Sequence, residues 1–304
     1  MAADYLLRPM VESDVPAVER LTAEGFYELD VRTHQPDLPE PRMRSAAKAE
    51  LWRRRMAHVL RNDAGGCWVA EDDTGLIGVA ASLRRDLTWI LATFVVRPGL
   101  QGRGVGKTLL DAALGYGSGC LRGMLAASAD PRAARRYRHA GFTLHPWMFL
   151  TGPVRRDRLP VVERVRDGSP GDIDLMNSVD RQVRDAAHGV DHEILTASYP
   201  LLVVDRSTGS GYAYVEPGGG PYLLAATNRR TAADLLWATL AACPDGPAAG
   251  EGSDRRCTVS HVSAANEWAV DVGMSAGMSL YTSGYLALRS MKPPMPYLPS
   301  GHFL

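Results

Sequence analysis

Residues 94–108, FVVRPGLQGRGVGKT, constrain this chain more than any other stretch. A β-branched run ends at Arg97-Pro98, glycines follow at alternate positions (Gly102, Gly104 and Gly106), and Lys107 opens an apolar helical pattern. Glycine reaches φ > 0 and lets a ligand approach the main chain. A helix starting there points free N–H groups and its positive dipole end back at the loop. Strand, glycine loop and helix start together make an anion site, most often for phosphate. The bland alternative is a glycine turn that binds nothing.

Three phosphate loops compete. Gly106-Lys107-Thr108 fits the end of a Walker A loop, but its first glycine would fall at Gln101, and no strand ending in an acid suggests a Walker B partner. The dinucleotide fingerprint fails because the third glycine comes one residue early. The pattern Gln/Arg-x-x-Gly-x-Gly/Ala after a Val-x-Pro strand end does fit, through Gln101, Gly104 and Gly106 with Val96 and Pro98 upstream. This resembles the acyl-CoA pyrophosphate loop of the GNAT superfamily of N-acyltransferases. Residues 124–142, MLAASADPRAARRYRHAGF, add a second segment. An apolar strand leads to Asp130-Pro131, a good helix start, and the helix carries Ala133 and Tyr137 and stops at Gly141-Phe142. It is similar to the family's Asn/Asp-x-x-Ala-x-x-x-Tyr-x-x-x-Gly-Phe segment. There the helix flanks the CoA thiol and the tyrosine is usually the general acid. Taken alone, Tyr137 would read as a packed helix tyrosine.

Composition fits an ordinary soluble enzyme with room for two domains: 304 residues, 45% hydrophobic, with 34 basic and 34 acidic side chains. The balanced charge argues against polyanion binding, nucleic acid included. The Arg-over-Lys bias and abundant Ala suggest a high-GC bacterial gene. Cys67, Cys120, Cys243 and Cys257 are scattered without a Cys-x-x-Cys pair, so neither a disulfide framework nor a metal site is expected, and a cytoplasmic location fits. No signal pattern or membrane span is read from the chain.

Tyr5–Met10 reads as a strand, and Asp14 as the cap of a helix that turns Val15, Val18 and Leu21 inward. Residues 29–42 read as a loop and 43–61 as a helix whose arginines, Arg53, Arg54, Arg55 and Arg61, form a solvated face. A hairpin over 68–83 and a buried strand over 89–96 precede the glycine loop; 151–160 is the linker. The second half looks like a decayed copy. Arg8…Asp14 recurs as Arg166…Asp172, WVAEDDTGLIGVA is echoed by LVVDRSTGSGYA, and Asp130, Ala133, Tyr137, Gly141 and Phe142 by Asn266, Ala269, Gly273, Gly277 and Met278. Where the copy should have its loop, 225–236 read AATNRRTAADLL, without glycine. The resemblance therefore implies an α/β (α+β) chain of two tandem GNAT-like domains, each a mixed central sheet flanked by helices. Residues 1–153 form the acyl-CoA domain and 160–304 a degenerate one.

The resemblance implies acetyl-CoA as co-substrate, a small-molecule or peptide amine as acceptor, and direct attack of the amine on the thioester. The loop Gln101, Gly102, Arg103, Gly104, Val105, Gly106, Lys107 and Thr108 would hold the pyrophosphate, mainly through main-chain N–H groups. Phe94, Val95 and Val96 would pair with pantetheine like an added strand, and an amide of that strand would polarise the thioester carbonyl. Asp130 opens the helix beside the thiol, and Tyr137 would protonate the departing thiolate. Many relatives carry a base on that strand; Trp89–Thr93 offers none. Glu24, Glu28, Asp30 and His34 are candidates instead, each equally readable as a solvated polar group. The tail PPMPYLPSGHFL should run extended and dock its apolar tip. In one reading it crosses the domain interface and closes one wall of the acceptor pocket, with the Leu304 carboxylate near the amine; in the other it docks for packing alone. His188-x-x-x-His192 with Asp191 and Glu193 lacks the HExxH order, so no metal is expected. The alternative to an enzyme is a sensor or scaffold that binds acyl-CoA without turnover. The oligomeric state is open.

Overall fold

The computed structural model describes residues 5–243 and 256–304. The first half runs β1 (Leu6–Pro9), α1 (Val15–Arg32), α2 (Ala46–Asn62), β2 (Cys67–Asp72), β3 (Gly75–Arg85), β4 (Thr88–Val96), α3 (Val105–Tyr116), β5 (Arg122–Ala127), α4 (Pro131–His139) and β6 (Thr143–Gly152). The second runs β7 (Arg166–Asp167), α5 (Ile173–Arg184), α6 (Asp191–Thr196), β8 (Leu201–Arg206), β9 (Gly209–Val215), β10 (Pro221–Ala226), α7 (Arg229–Ala241), β11 (Cys257–Ser263), α8 (Glu267–Ser275), β12 (Ser279–Arg289) and β13 (Tyr297–Leu298). The order of elements in the first half thus recurs in the second.

The same local chemistry opens both halves. Arg8 grips Asp14 through both arms (2.7 and 2.9 Å), and Arg166 grips Asp172 likewise (3.1 and 2.5 Å). Each carboxylate also accepts the main-chain N–H three residues before it, from Val11 (2.9 Å) and Ser169 (2.8 Å). The Arg8 bonds hold the Asp14 carboxyl below its ordinary value, against the opposing effect of burial. Asp14 thus locks the approach to α1 rather than capping its N–H groups.

The sheets do not respect the 153/160 divide. The larger sheet has the order β1-β2-β3-β4-β5-β12-β6-β11, so two strands of the second half complete it. β12 lies between β5 and β6, antiparallel to both. Gly284 permits that insertion: a Cβ there would sit 1.9 Å from the Ala127 carbonyl oxygen. Among the described residues, only β4 and β5 pair in parallel. The smaller sheet, β13-β10-β9-β8-β7, is antiparallel throughout, where a mixed sheet was expected. The reason is the exchange itself: β11 follows α7 as β5 follows α3, but it leaves for β6, and β13 lies beside β10 instead.

One apolar core runs through both halves, from Val18, Val79 and Leu109 to Met176, Tyr212 and the tail residues Phe303 and Leu304. A second core packs α7 and α8 against β10 and β11. A buried polar clasp ties the halves: Arg85 reaches Asp191 (2.6 and 2.5 Å) and Asp63 (2.9 Å), and His58 Nε2 lies 3.0 Å from Asp191. Removing one partner would strand the other's charge in the interior. The scattered cysteines correct the sequence reading. Cys243, just past α7, and Cys257, at the start of β11, form a disulfide because the two ends meet at a Cα–Cα distance of 6.1 Å, which spacing alone did not reveal. Cys67 and Cys120 are free thiols. Among the described residues, no helix is long and apolar enough to cross a membrane.

Candidate active site

β4 and β5 stay paired only from Thr88–Leu91 to Arg122–Leu125. Beyond that they separate and open a cavity of about 560 Å³. A β-bulge on β4 falls at this point: the register with β3 slips between Leu91 and Thr93, leaving Ala92 extra. A bulge bends the strand that bears it and re-aims its side chains. Thr93–Val96 then present one edge to the cleft while the other remains paired with β3.

The strand ends where Arg97 N–H donates to the Ile77 carbonyl (2.8 Å), and Gln101 ties the loop back by donating from Nε2 to the Val96 carbonyl (3.2 Å). Gly102 and Gly104 take positive φ, 87° and 94°. Among the described residues, no main-chain N–H from 101 to 106 donates to another main-chain carbonyl; the first to do so are Lys107 and Thr108, both to Gly104. A row of unspent donors with a helix start behind it is a cradle for an anion.

Phe94, Val95, Val96, Gln101, Gly102, Gly104, Gly106 and Asp130 line the cleft. Arg103, Val105, Lys107 and Thr108 do not. Lys107 is exposed and pairs with Asp111 (2.7 Å), the i,i+4 partner that a surface helix provides, and its N–H is spent in the first helical bond. Val105 packs into the core, and the Thr108 hydroxyl meets the Tyr5 hydroxyl (2.9 Å).

Asp130 caps α4 by accepting the Arg132 N–H (2.8 Å) and pairs with Arg132 (2.9 Å) and Arg32 (2.8 Å). Burial would raise its pKa, but the bonds from Arg132 and the nearby cationic charge hold it below the ordinary value. Tyr137, two turns further along α4 on the same face, is buried on the cleft wall with its ring near Phe94 (6.3 Å) and Phe142 (6.5 Å). Burial, helped by the charge of Asp130, drives its phenol well above the ordinary value. The proton stays on this oxygen across the neutral and mildly alkaline range.

α1 runs on to Arg32, past the expected start of the loop, and this carries Glu28 and Arg32 into the cleft on one helical face. Of the four candidate bases only Glu28 lines the cleft; His34 lies 3.7 Å from Glu40 outside it. The tail reaches the cleft through Gly301 and His302. Leu304 does not line it: it is fully buried in the core, which corrects its expected place beside the amine. The residues that sequence reasoning missed are Arg55 and His302. Arg55, expected in a solvated face, is half-buried, with Nη2 3.1 Å from His302 Nε2. The apolar tip of the tail was the signal, but it pointed to the wrong residue.

The histidine pair turns inward to Asp180 and not to Asp191 or Glu193, the acids beside it in sequence. Asp180, His188 and His192 are fully buried, with ligand atoms within 4.8 Å of one another, so among the described residues they are the group able to hold a metal. Their capacity is largely spent. Asp180 accepts the His188 N–H (3.1 Å), meets its Nδ1 (2.8 Å) and accepts the Tyr212 hydroxyl (2.5 Å). Asp191 belongs to the Arg85 clasp.

Residues 63–144 match the family model of the acetyltransferase (GNAT) domain. That stretch spans β2 to α4 and holds the loop and Tyr137. No curated protein matches. Among solved structures, the chain is similar to a GCN5-related N-acetyltransferase from Sphaerobacter thermophilus (16% identity, 97% of this chain and 98% of that one, TM-score 0.58). It is similar also to one from Kribbella flavida (15%, 93% and 70%, TM-score 0.55). A Pyrococcus horikoshii protein gives a TM-score of 0.69 at 15% identity, over 96% of this chain and 91% of that one. The chain has the fold of these GCN5-related N-acetyltransferase structures, and within it residues 63–144 match the acetyltransferase domain model.

Proposed function

We propose that the chain is an acetyl-CoA-dependent N-acetyltransferase of tandem build, in which 1–153 hold the acyl-CoA cleft and 160–304 a copy that has lost it. The observation that carries this is a single cleft where unspent loop amides, a free strand edge and a buried, protonated tyrosine converge. The amides of 102–106 hold the pyrophosphate, and the edge of β4 takes the pantetheine amides. A β4 amide polarises the thioester carbonyl. The neutral amine attacks that carbon, the C–S bond breaks, and the thiolate takes the Tyr137 proton. The nitrogen gives up its extra proton to Glu28, directly or through water. The products are the acetamide and CoA thiol.

Among its described residues, the second half has no comparable cradle. After β10 the chain passes straight to Asn228, whose side chain accepts the Thr231 N–H (2.9 Å) and starts α7. β13 covers the edge of β10 that corresponds to the free edge of β4. Both features support a half without cofactor chemistry.

The test is release of CoA thiol from acetyl-CoA across a panel of primary amines. Turnover with any amine supports the enzyme. Binding of acetyl-CoA with no turnover across the panel would favour the sensor reading, which the lack of a carboxylate on β4 supports. Glu28→Gln should lower kcat/KM roughly tenfold, less than a buried general base would, because an exposed amine can lose its proton to water. An unchanged rate removes Glu28 from the mechanism.

A further inference from the structure

We infer that Asn266, in the second half, is a positioning residue for the acceptor end of the cleft in the first: it anchors the strap that carries His302 into the cleft wall. This rests on the transferase reading above. Asn266 stands after β11 where Asp130 stands after β5, but it does not cap its helix by its side chain. Its bonds go to the tail instead. Oδ1 accepts the Tyr297 N–H (2.9 Å) and Nδ2 donates to the Pro294 carbonyl (3.0 Å). The remaining capacity fixes the amide itself, against Trp268 Nε1 (3.0 Å) and Ser263 Oγ (3.0 Å). The side chain is 1% exposed, so each of these bonds is costly to lose.

From this anchor the strap is guided without a break. Tyr297–Leu298 pair with β10, and the Pro299 carbonyl lies 3.1 Å from His261 Nδ1. Ser300 Oγ accepts the N–H groups of His302 (3.3 Å) and Phe303 (3.0 Å), turning the chain at Gly301. That turn sends Phe303 and Leu304 into the core and leaves His302 on the cleft wall. Arg55 completes the fixing. A guanidinium only donates, so His302 Nε2 accepts from it and Nδ1–H faces the Ser300 carbonyl (3.3 Å). With its lone pair spent, His302 shapes the wall and does not serve as the base.

The experiment uses the full chain and two variants. Asn266→Ala removes the anchor. Gly301→Ala leaves the Asn266 bonds in place and disturbs the turn and its His261 contact, since its Cβ would lie 2.5 Å from the His261 ring at a φ of +77°. In Asn266→Ala, the amides of Tyr297, Leu298 and 300–303 should exchange at least about tenfold faster. In both variants KM for the amine should rise about tenfold or more, with CoA affinity within about twofold of wild type. Unchanged exchange in Asn266→Ala overturns the anchor. A released strap with an unchanged amine KM overturns the link to acceptor binding, and a parallel loss of CoA affinity reduces the effect to general destabilisation. If Asn266→Ala does not fold, Asn266→Asp, which keeps the Oδ1 acceptor and loses the Nδ2 donor to Pro294, is judged by the same exchange and KM outcomes, while the Gly301→Ala kinetics judge the acceptor link alone. A wild-type chain that turns over no amine defeats the transferase reading and the acceptor role with it, while exchange still judges the anchor.

Discussion

Gly104→Asp is expected to abolish measurable CoA binding, weakening it by at least about 10²-fold, or ~2.7 kcal/mol. Gly104 takes φ 94° at the N-cap of α3 and lines the cleft. A side chain there is strained, at about 1–2 kcal/mol. It meets no packing obstacle, because no atom lies within 4 Å of the added Cβ. The fold should therefore survive while the carboxylate places a negative charge among amides that would otherwise face the pyrophosphate. Gly104→Ala carries the same strain without the charge, so the difference between the two isolates the electrostatic part. Titration calorimetry on the wild-type chain should give one CoA per chain, since β10 has no free edge. Two per chain, or binding that survives Gly104→Asp, would place the cofactor elsewhere.

What the sequence discloses here is the part built from neighbours in the chain. The glycine loop, the Asp130-Pro131 helix start and the Arg8…Asp14 clasp involve residues within a few positions, and their spacing is their geometry. The exchange of β12 into the first sheet is a pairing across more than a hundred residues, and no local pattern distinguishes it from pairing within the second half. Gly284 is its trace, meaningful only once Ala127 is known to lie against it. The disulfide fails for the same reason: Cys243 and Cys257 look unrelated until α7 and β11 bring them together. At the cleft, the glycine loop and the Asp130 helix start were legible and the wall opposite them was not. The first depends on one loop and one helix. The second is assembled from α1, α2 and the tail, and the Arg55–His302 contact spans 247 positions.

Tyr137→Phe should reduce turnover about 10²-fold or more while leaving acetyl-CoA affinity nearly unchanged. The substitution keeps the ring, and with it the contacts to Phe94 and Phe142. Only the proton donor is lost. Its acidity sharpens the expectation. Burial and Asp130 push the phenol above its ordinary value, so Tyr137 is a weaker acid here than in water. A free thiol ionises near pH ~8.5 and a free tyrosine near ~10. Transfer to a fully formed thiolate would therefore run uphill, by more than that gap. The proton must move as the C–S bond breaks, which requires the hydroxyl to be held on the path of the sulfur. The raised pKa is compatible with this role because it keeps the donor charged with its proton: no alkaline loss of rate from Tyr137 should appear up to pH ~10, the ordinary tyrosine value. A rate that falls with a midpoint well below that would have to come from another group. If Tyr137→Phe turns over like wild type, the hydroxyl has no part in the chemistry. Tyr137 is then a packing residue of α4, and the thiolate leaves to water.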